Sequence, residues 1–462
     1  MNREPVKTPL WDAVRRHVDS ATYPYHVPGH KQGRGLVQAF ARDLAQYDLT
    51  ELPGLDNLLD PSGPLAEAET MAARLSGAAA CHFTTGGSTS GIIAALLALC
   101  PAGKQPLLPR NAHVSCVHAC VLADLVPMFY DVTVDAARQV YLAADTADFT
   151  RMLSPQVGVA LLVSPNYHGV ISDVSTMAAL SHEAGIPLVV DEAHGTHLLM
   201  SPPLPASAVF LGADVVVQSV HKTGVALTGA AWVNVNNEAY IRPVKAALRL
   251  IQSTSPSYLQ LVSLDLARAY LEEEGRQRVG AALDAAQAMR SVIPVYQPPN
   301  VPYLDPLRVV IDALAFGMSG HQLGQYLARR GVTVEMTDLT TAVLVLSPGD
   351  DHKAVAPVTE AISALWKDAQ GPVSQHSMRR LYASDQFAMT PRTAYLGPGE
   401  EVELGLATGR IAAEPVTIYP PGSPLIWPGQ RIDEDFIEYI NMSLAQGASV
   451  TGVSCGLVRV VK

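Results

Sequence analysis

The stretch DVVVQSVHKTGVALTGAAW, residues 214–232, sets a short apolar strand (214–217) and a second apolar run (225–232) on either side of Ser219, His221 and Lys222. Burying an unpaired ammonium between two such runs is expensive. Two readings follow. Either Lys222 lies in a surface turn with its stem over apolar neighbours, or its amine is chemically altered.

The surrounding pattern decides the fold. VGVALLVS (157–164), IPLVVDEAH (186–194) and ADVVVQS (213–219) are near-continuous apolar runs separated by helical patterns. Strands of that kind belong to a mainly parallel sheet covered by helices on both faces. Ligands of open parallel sheets gather at the carboxyl ends of the strands, which here carry Asp191 on one strand and Ser219, His221 and Lys222 on another. CHFTTGGSTSGIIAALLAL (81–99) runs from a strand through Thr84, Thr85, Gly86, Gly87, Ser88 and Thr89 into an apolar helix. Its glycines and hydroxyls suit an anion at a helix start and equally suit an ordinary helix cap. No Gly-Lys-Ser/Thr follows, so it is not a Walker A loop. Asp191 alone could be a helix cap, a metal ligand beside His194 and His197, or an acid facing a cofactor. No third ligand is well placed in sequence to complete a site around His194 and His197, and His113, Cys116 and Cys120, which have helical metal spacing too, are more often a partly buried core set, so no metal is expected. A lysine, a carboxylate and a phosphate cradle on neighbouring strand ends together indicate pyridoxal 5′-phosphate, which needs all three.

With 462 residues, 48% apolar and 16% charged, the chain exceeds one ordinary core and is not disordered. The longest apolar run, Ile92–Cys100, is about half of a membrane span, and the charged amino terminus lacks a signal-peptide centre. Five cysteines form no disulfide framework, which favours a cytoplasmic home. A net charge of −11 without basic blocks argues against nucleic acid.

Four segments are expected. Residues 1–64 form an amino-terminal arm, with one helix bearing Leu10, Ala13, Val14, His17 and Val18 on one face and a Pro/Gly-rich stretch after it. Residues 65–305 form the large cofactor domain, 306–372 a small α/β domain, and 373–462 a Pro-rich carboxyl-terminal domain, with a boundary at QGPVSQHS (370–377).

Six motifs, in order, carry a family resemblance: YHVPGHKQGRG (25–35), TELPGLDNLLDPSGPLAEAE (50–69), VSPNYHGVISDV (163–174), VVDEAHGTHL (189–198), QSVHKTGVALTGAAW (218–232) and ATGRIAAEPVTIYPPGSPLIWPGQ (407–430). Together they resemble the Orn/Lys/Arg decarboxylase family in its short bacterial form. The resemblance implies an aspartate-aminotransferase-like α/β fold (PLP fold type I). Its large domain would hold a mainly parallel, seven-stranded-type sheet, with smaller α/β carboxyl-terminal domains and an active site at a dimer interface.

It also implies roles. Lys222 would carry pyridoxal 5′-phosphate as an imine, which removes the buried ammonium. Asp191 would pair with the ring N–H, Ala193 would pack on one ring face and His113 would stack on the other. Gly87, Ser88, Ser219 and His221 would bind the phosphate, and His194 would lie near the ring's phenolic oxygen or the substrate. Lys222, His194 and Asp191 would carry the catalysis. The implied reaction is decarboxylation of arginine, ornithine or lysine by a homodimer or a dimer of dimers. Transamination, or elimination or cyclisation of a modified basic amino acid, is the alternative. Where the family commonly has leucine and glutamine after the lysine this chain has Gly224 and Gly229, and Ser423 and Gln430 stand for isoleucine and glutamate. These departures are expected where substrate and partner subunit are met. The arm, with His26, His30 and Lys31, is expected to complete a neighbouring subunit's site.

Overall fold

The structure is a computed structural model that describes residues 8–368, 386–418, 422–445 and 447–462. The expected boundary at 370–377 lies outside them. Its centre is a seven-stranded sheet of β1 (Ala80–Thr84), β2 (Gln105–Pro109), β3 (Met128–Tyr130), β4 (Val157–Val163), β5 (Leu188–Asp191), β6 (Val215–Gln218) and β7 (Ala231–Val235), in the order β1-β7-β6-β5-β4-β2-β3. All neighbours run parallel except β7, which is antiparallel to both β1 and β6.

The apolar runs are continuous because each strand feeds two cores. Leu188 and Val190 of β5 and Val216 of β6 join the core on one face, while Val189, Val215 and Val217 join the other. Successive strand side chains alternate between faces, so a strand covered on both sides has no polar phase. Helices Pro64–Ser76 and Val174–Glu183 supply Ala72 and Met177 to the first core; Gly87–Leu99, Val114–Ala123 and Glu238–Ile251 supply Leu96, Val117 and Val244 to the second. A fully buried valine or leucine contributes about 1.5–3 kcal/mol.

A smaller unit packs beside this sheet. Arg308–Asp312, Thr341–Val345 and Met336–Thr337 form an antiparallel sheet in that order, covered by helices Gly320–Ala328 and Val355–Asp368. Tyr23–Tyr25 of the arm pairs in parallel with Val332–Val334, and Tyr25 is buried in this unit's core. The carboxyl-terminal segment has its own core around Ala412, Ile426, Ile440 and Val458. It is joined to the large sheet by Trp427, whose ring meets Phe129 edge-on at 5.2 Å. Helix Pro9–Asp19 buries no residue in the chain, and its Leu10 and Trp11 are 78% and 60% exposed. Among the described residues no helix is long and apolar enough to cross a membrane.

Candidate active site

The carboxyl ends of β5 and β6 open onto a pocket whose wall includes Ser88, His113, Asp191, Ala193, His194 and Lys222. Six of the nine site residues expected from sequence therefore meet in one cavity. Lys222 sits in the single helical turn Val220–Thr223 that follows β6, and its Nζ lies 3.1 Å from His194 Nε2. Burial lowers its pKa from the usual lysine value, against the pull of Asp191. Asp191 ends β5, where burial raises its carboxyl and Lys222 and the Ala193 N–H oppose the rise. A buried acid held this way suits a cation placed against it.

His113 caps helix Val114–Ala123, its Nδ1 accepting from the Ser115 N–H at 3.2 Å. Burial, with Lys222 second, pushes its pKa down to about 4, so the ring is a neutral flat surface facing the cavity. Ser219 Oγ donates to Ser88 Oγ at 2.8 Å. Gly87, at φ +70°, begins helix Gly87–Leu99, whose N-cap Gly86 offers no side chain to the free N–H groups. Ser219, Gly87 and His221 adjoin the pocket without lining it, and the His221 Nδ1–H donates to the Ala230 carbonyl at 3.2 Å. Burial pushes His221 down to about 4.

His194 and His197 do not form a metal pair, because His194 meets Lys222 while His197 Nε2 lies 2.9 Å from Asp305 Oδ1. Among the described residues no group of three His, Cys, Asp or Glu could hold a metal.

Sequence reasoning missed several wall residues. Tyr167 places its ring 4.3 Å from that of His194, and Asn111 lines the cavity with a buried Oδ1 that has no partner among the described residues. Asn166 fixes the loop by donating to the Tyr141 and Leu142 carbonyls. Tyr167 and Asn166 stand in the motif VSPNYHGVISDV, which signals the loop but not which side chain turns inward. Of the two carboxyl-terminal departures, Ser423 reaches the wall and donates to the Asn111 carbonyl at 2.9 Å. Gln430 does not: it is buried, and its Oε1 accepts the Trp427 N–H at 2.9 Å.

The arm packs on the lysine turn of its own chain, where the Gly29 N–H donates to the His221 carbonyl at 2.7 Å. A Cβ at Gly29 would lie 2.2 Å from Gly224 O and 2.8 Å from Lys222 O, so only glycine permits the approach. Lys31 anchors the arm: fully buried, its Nζ donates to the carbonyls of Pro24, His26 and Val345 and pairs with Asp350 at 3.3 Å. The stretch lacks core periodicity because it fills a crevice by backbone contacts instead of burying a stripe.

Residues 8–298 match the family model for the Orn/Lys/Arg decarboxylase major domain, and residues 375–455 match that for the Orn/Lys/Arg decarboxylase C-terminal domain. The arginine decarboxylase of Bacillus subtilis is 31% identical over 99% of this chain and 98% of its own length. That of Bacillus anthracis is 29% identical over 99% and 97%. The constitutive lysine decarboxylase of Escherichia coli shares the fold with a TM-score of 0.78 at 20% identity, over 99% of this chain and 82% of that one.

Proposed function

Since the chain belongs to the Orn/Lys/Arg decarboxylase family and is thus an amino-acid decarboxylase acting on a basic substrate, we propose that it removes CO2 from L-arginine with pyridoxal 5′-phosphate held on Lys222. The observation that carries this reading is the convergence of the Lys222 amine and the Asp191 carboxylate on one pocket. The residues present suit the cofactor: a buried acid, an uncapped helix start beside two hydroxyls, and an orphaned Asn111 Oδ1 in the wall. When bound, the cofactor supplies a sink for the electron pair left on the α-carbon as CO2 departs.

The chain's own residues do the rest. Asp191 would keep a proton on the ring nitrogen, because a carboxylate beside it favours the charged form. Ala193 and His113 would hold the ring from its two faces. Ser88, Ser219, Gly87 and His221 would hold the phosphate at the helix start. His194 and Lys222 would face the substrate's reacting carbon. Arginine is placed first among basic amino acids because four relatives similar over nearly their whole length carry that name.

Two finer assignments belong here. Helix Pro9–Asp19, with Leu10, Trp11, Val14 and Val18 exposed, supports a homodimer or dimer of dimers that covers it. Four buried, unpaired cysteines (Cys81, Cys100, Cys116 and Cys120) support a reducing, cytoplasmic setting.

The test incubates the purified protein and pyridoxal phosphate with arginine, ornithine and lysine in turn, measuring CO2 and product mass. The expected result is agmatine and CO2 from arginine at the highest kcat/KM, with borohydride fixing the cofactor to Lys222 in peptide maps. A different labelled lysine, or a keto acid in place of an amine, refutes the assignment.

A further inference from the structure

Five side chains run outward from the lysine in one line. Lys222 Nζ lies 3.1 Å from His194 Nε2, and Arg308 Nη2 lies 2.8 Å from His194 Nδ1. Arg308 Nη1 is 3.9 Å from Asp305 Oδ2, and the His197 Nε2–H donates to Asp305 Oδ1 at 2.9 Å. Burial alone would raise the Asp305 carboxyl, but His197 and then Arg308 hold it below the usual range, so it balances the buried guanidinium. Arg308 is held in place from behind. A Cβ at Gly169 (φ +83°) would come within 2.7 Å of the arginine's Cβ and Cγ, and Arg290 Nη2 donates to the Arg308 carbonyl at 2.7 Å.

A guanidinium carries only donors and stays charged. His194 Nδ1 must therefore accept and carry no proton. The single proton of the neutral ring then sits on Nε2, the atom facing Lys222, and Lys222 Nζ accepts it as a free amine. Burial, the largest influence, lowers the His194 pKa well below the usual value, and Lys222, Arg308, His221 and His113 each act in the same direction. The Tyr167 ring closes the remaining side.

We propose that Arg308 is a positioning residue that locks His194 as the neutral Nε2–H tautomer, making His194 a hydrogen-bond donor and leaving Lys222 to carry the proton. An imidazolium would need a proton on Nδ1, where the Arg308 N–H already points. Resting on the proposed decarboxylation, the proton balance is closed. Lys222 Nζ takes a proton from the substrate's own α-ammonium group. The bond to the carboxyl carbon breaks and CO2 leaves without its electron pair. A Lys222 N–H bond then breaks as the new C–H bond forms, and the lysine returns as an amine while His194 ends as it began.

The test labels the full chain with ¹⁵N-histidine, assigns His194 by its loss in His194→Gln, and follows it from about pH 5 to about pH 9, with and without pyridoxal phosphate. The expected result is a bare Nδ1 and a protonated Nε2 throughout. Arg308→Met should release the lock, so that His194 titrates toward the ordinary histidine range, about 6.5, and the kcat/KM profile of the loaded enzyme gains an ionisation there. Arg308→Lys, still a pure donor, should restore the wild-type tautomer. A second proton on wild-type His194 within this range overturns the proposal, as does an unchanged tautomer in Arg308→Met. Should Arg308→Met fail to fold, the wild-type titration decides alone. Because that titration needs no substrate, it separates failure of the lock from failure of decarboxylation.

Discussion

Replacing Gly29 with alanine puts one methyl group between the arm and the turn that carries Lys222. The new Cβ would start 2.2 Å from Gly224 O and 2.8 Å from Lys222 O, with Ser347 Cβ at 3.3 Å behind it. Both oxygens are backbone, so no rotamer change relieves the clash. Raising 2.2 Å to ordinary contact near 3.4 Å requires the arm and the turn to part by about 1.2 Å. The same displacement removes the 2.7 Å bond from the Gly29 N–H to the His221 carbonyl, worth about 0.5–1.5 kcal/mol. Overpacking adds a cost of about 1–3 kcal/mol, which the rest of the fold can absorb. Catalysis is less forgiving, since a displacement of about 1 Å at a reacting group costs on the order of a hundredfold. Gly29→Ala should therefore lose about a hundredfold in kcat, lower Tm by only a few degrees, and still bind cofactor. Gly280→Ala, whose added Cβ meets nothing within 4 Å, is the control. Wild-type turnover in Gly29→Ala would refute the claim that the arm positions the lysine turn.

Asp191→Asn should retain cofactor but slow the chemical step by about a hundredfold or more; near-normal single-turnover rates would remove Asp191 from the role. Lys31→Met should destabilise the fold by about 3–5 kcal/mol in urea unfolding, because Asp350 loses a fully buried partner. A change below about 1 kcal/mol would mean that Arg34, 3.2 Å from Asp350, is partner enough. Burial holds His113 and His221 near about 4 in the folded chain, whereas unfolded histidines take protons at about 6.5. Between those values the unfolded state binds more protons, so stability is full above about pH 6.5 and falls as pH drops towards about 4. His113→Phe should flatten that slope in thermal unfolding, and an unchanged slope would show that the ring is not kept neutral by the fold.

The sheet was legible because β4, β5 and β6 are covered on both faces, and that physical state leaves an unmistakable apolar run. The carboxyl ends of those strands then pointed to Asp191 and Lys222 without further help. Arg308 was not legible: it is the second residue of the run LRVVIDA, which reads as a strand, and nothing local says that its side chain turns back to a histidine 114 residues earlier. The arm was legible as an arm, but the surface of its own chain that it meets was not, since glycine and proline announce close backbone approach without naming the surface approached. Gln430 was not legible for a related reason. Its amide serves a turn three residues away, and a polar residue in a family motif does not distinguish a turn from a substrate contact.

The pocket's walls come from distant parts of the gene, and synthesis order inherits that arrangement. Gly29 waits for His221, His194 waits for Arg308, and Asn111 waits for Ser423, which leaves the ribosome 312 residues later. A nascent chain ending near residue 298 already holds all seven strands of the large sheet but has neither Arg308 nor the Ser347 hydroxyl that holds the Gly29 carbonyl. Long-range closures of this kind come late in folding. The lysine turn therefore reaches its native geometry only after the large sheet is complete, and recovery of activity after dilution from denaturant should trail recovery of helical signal.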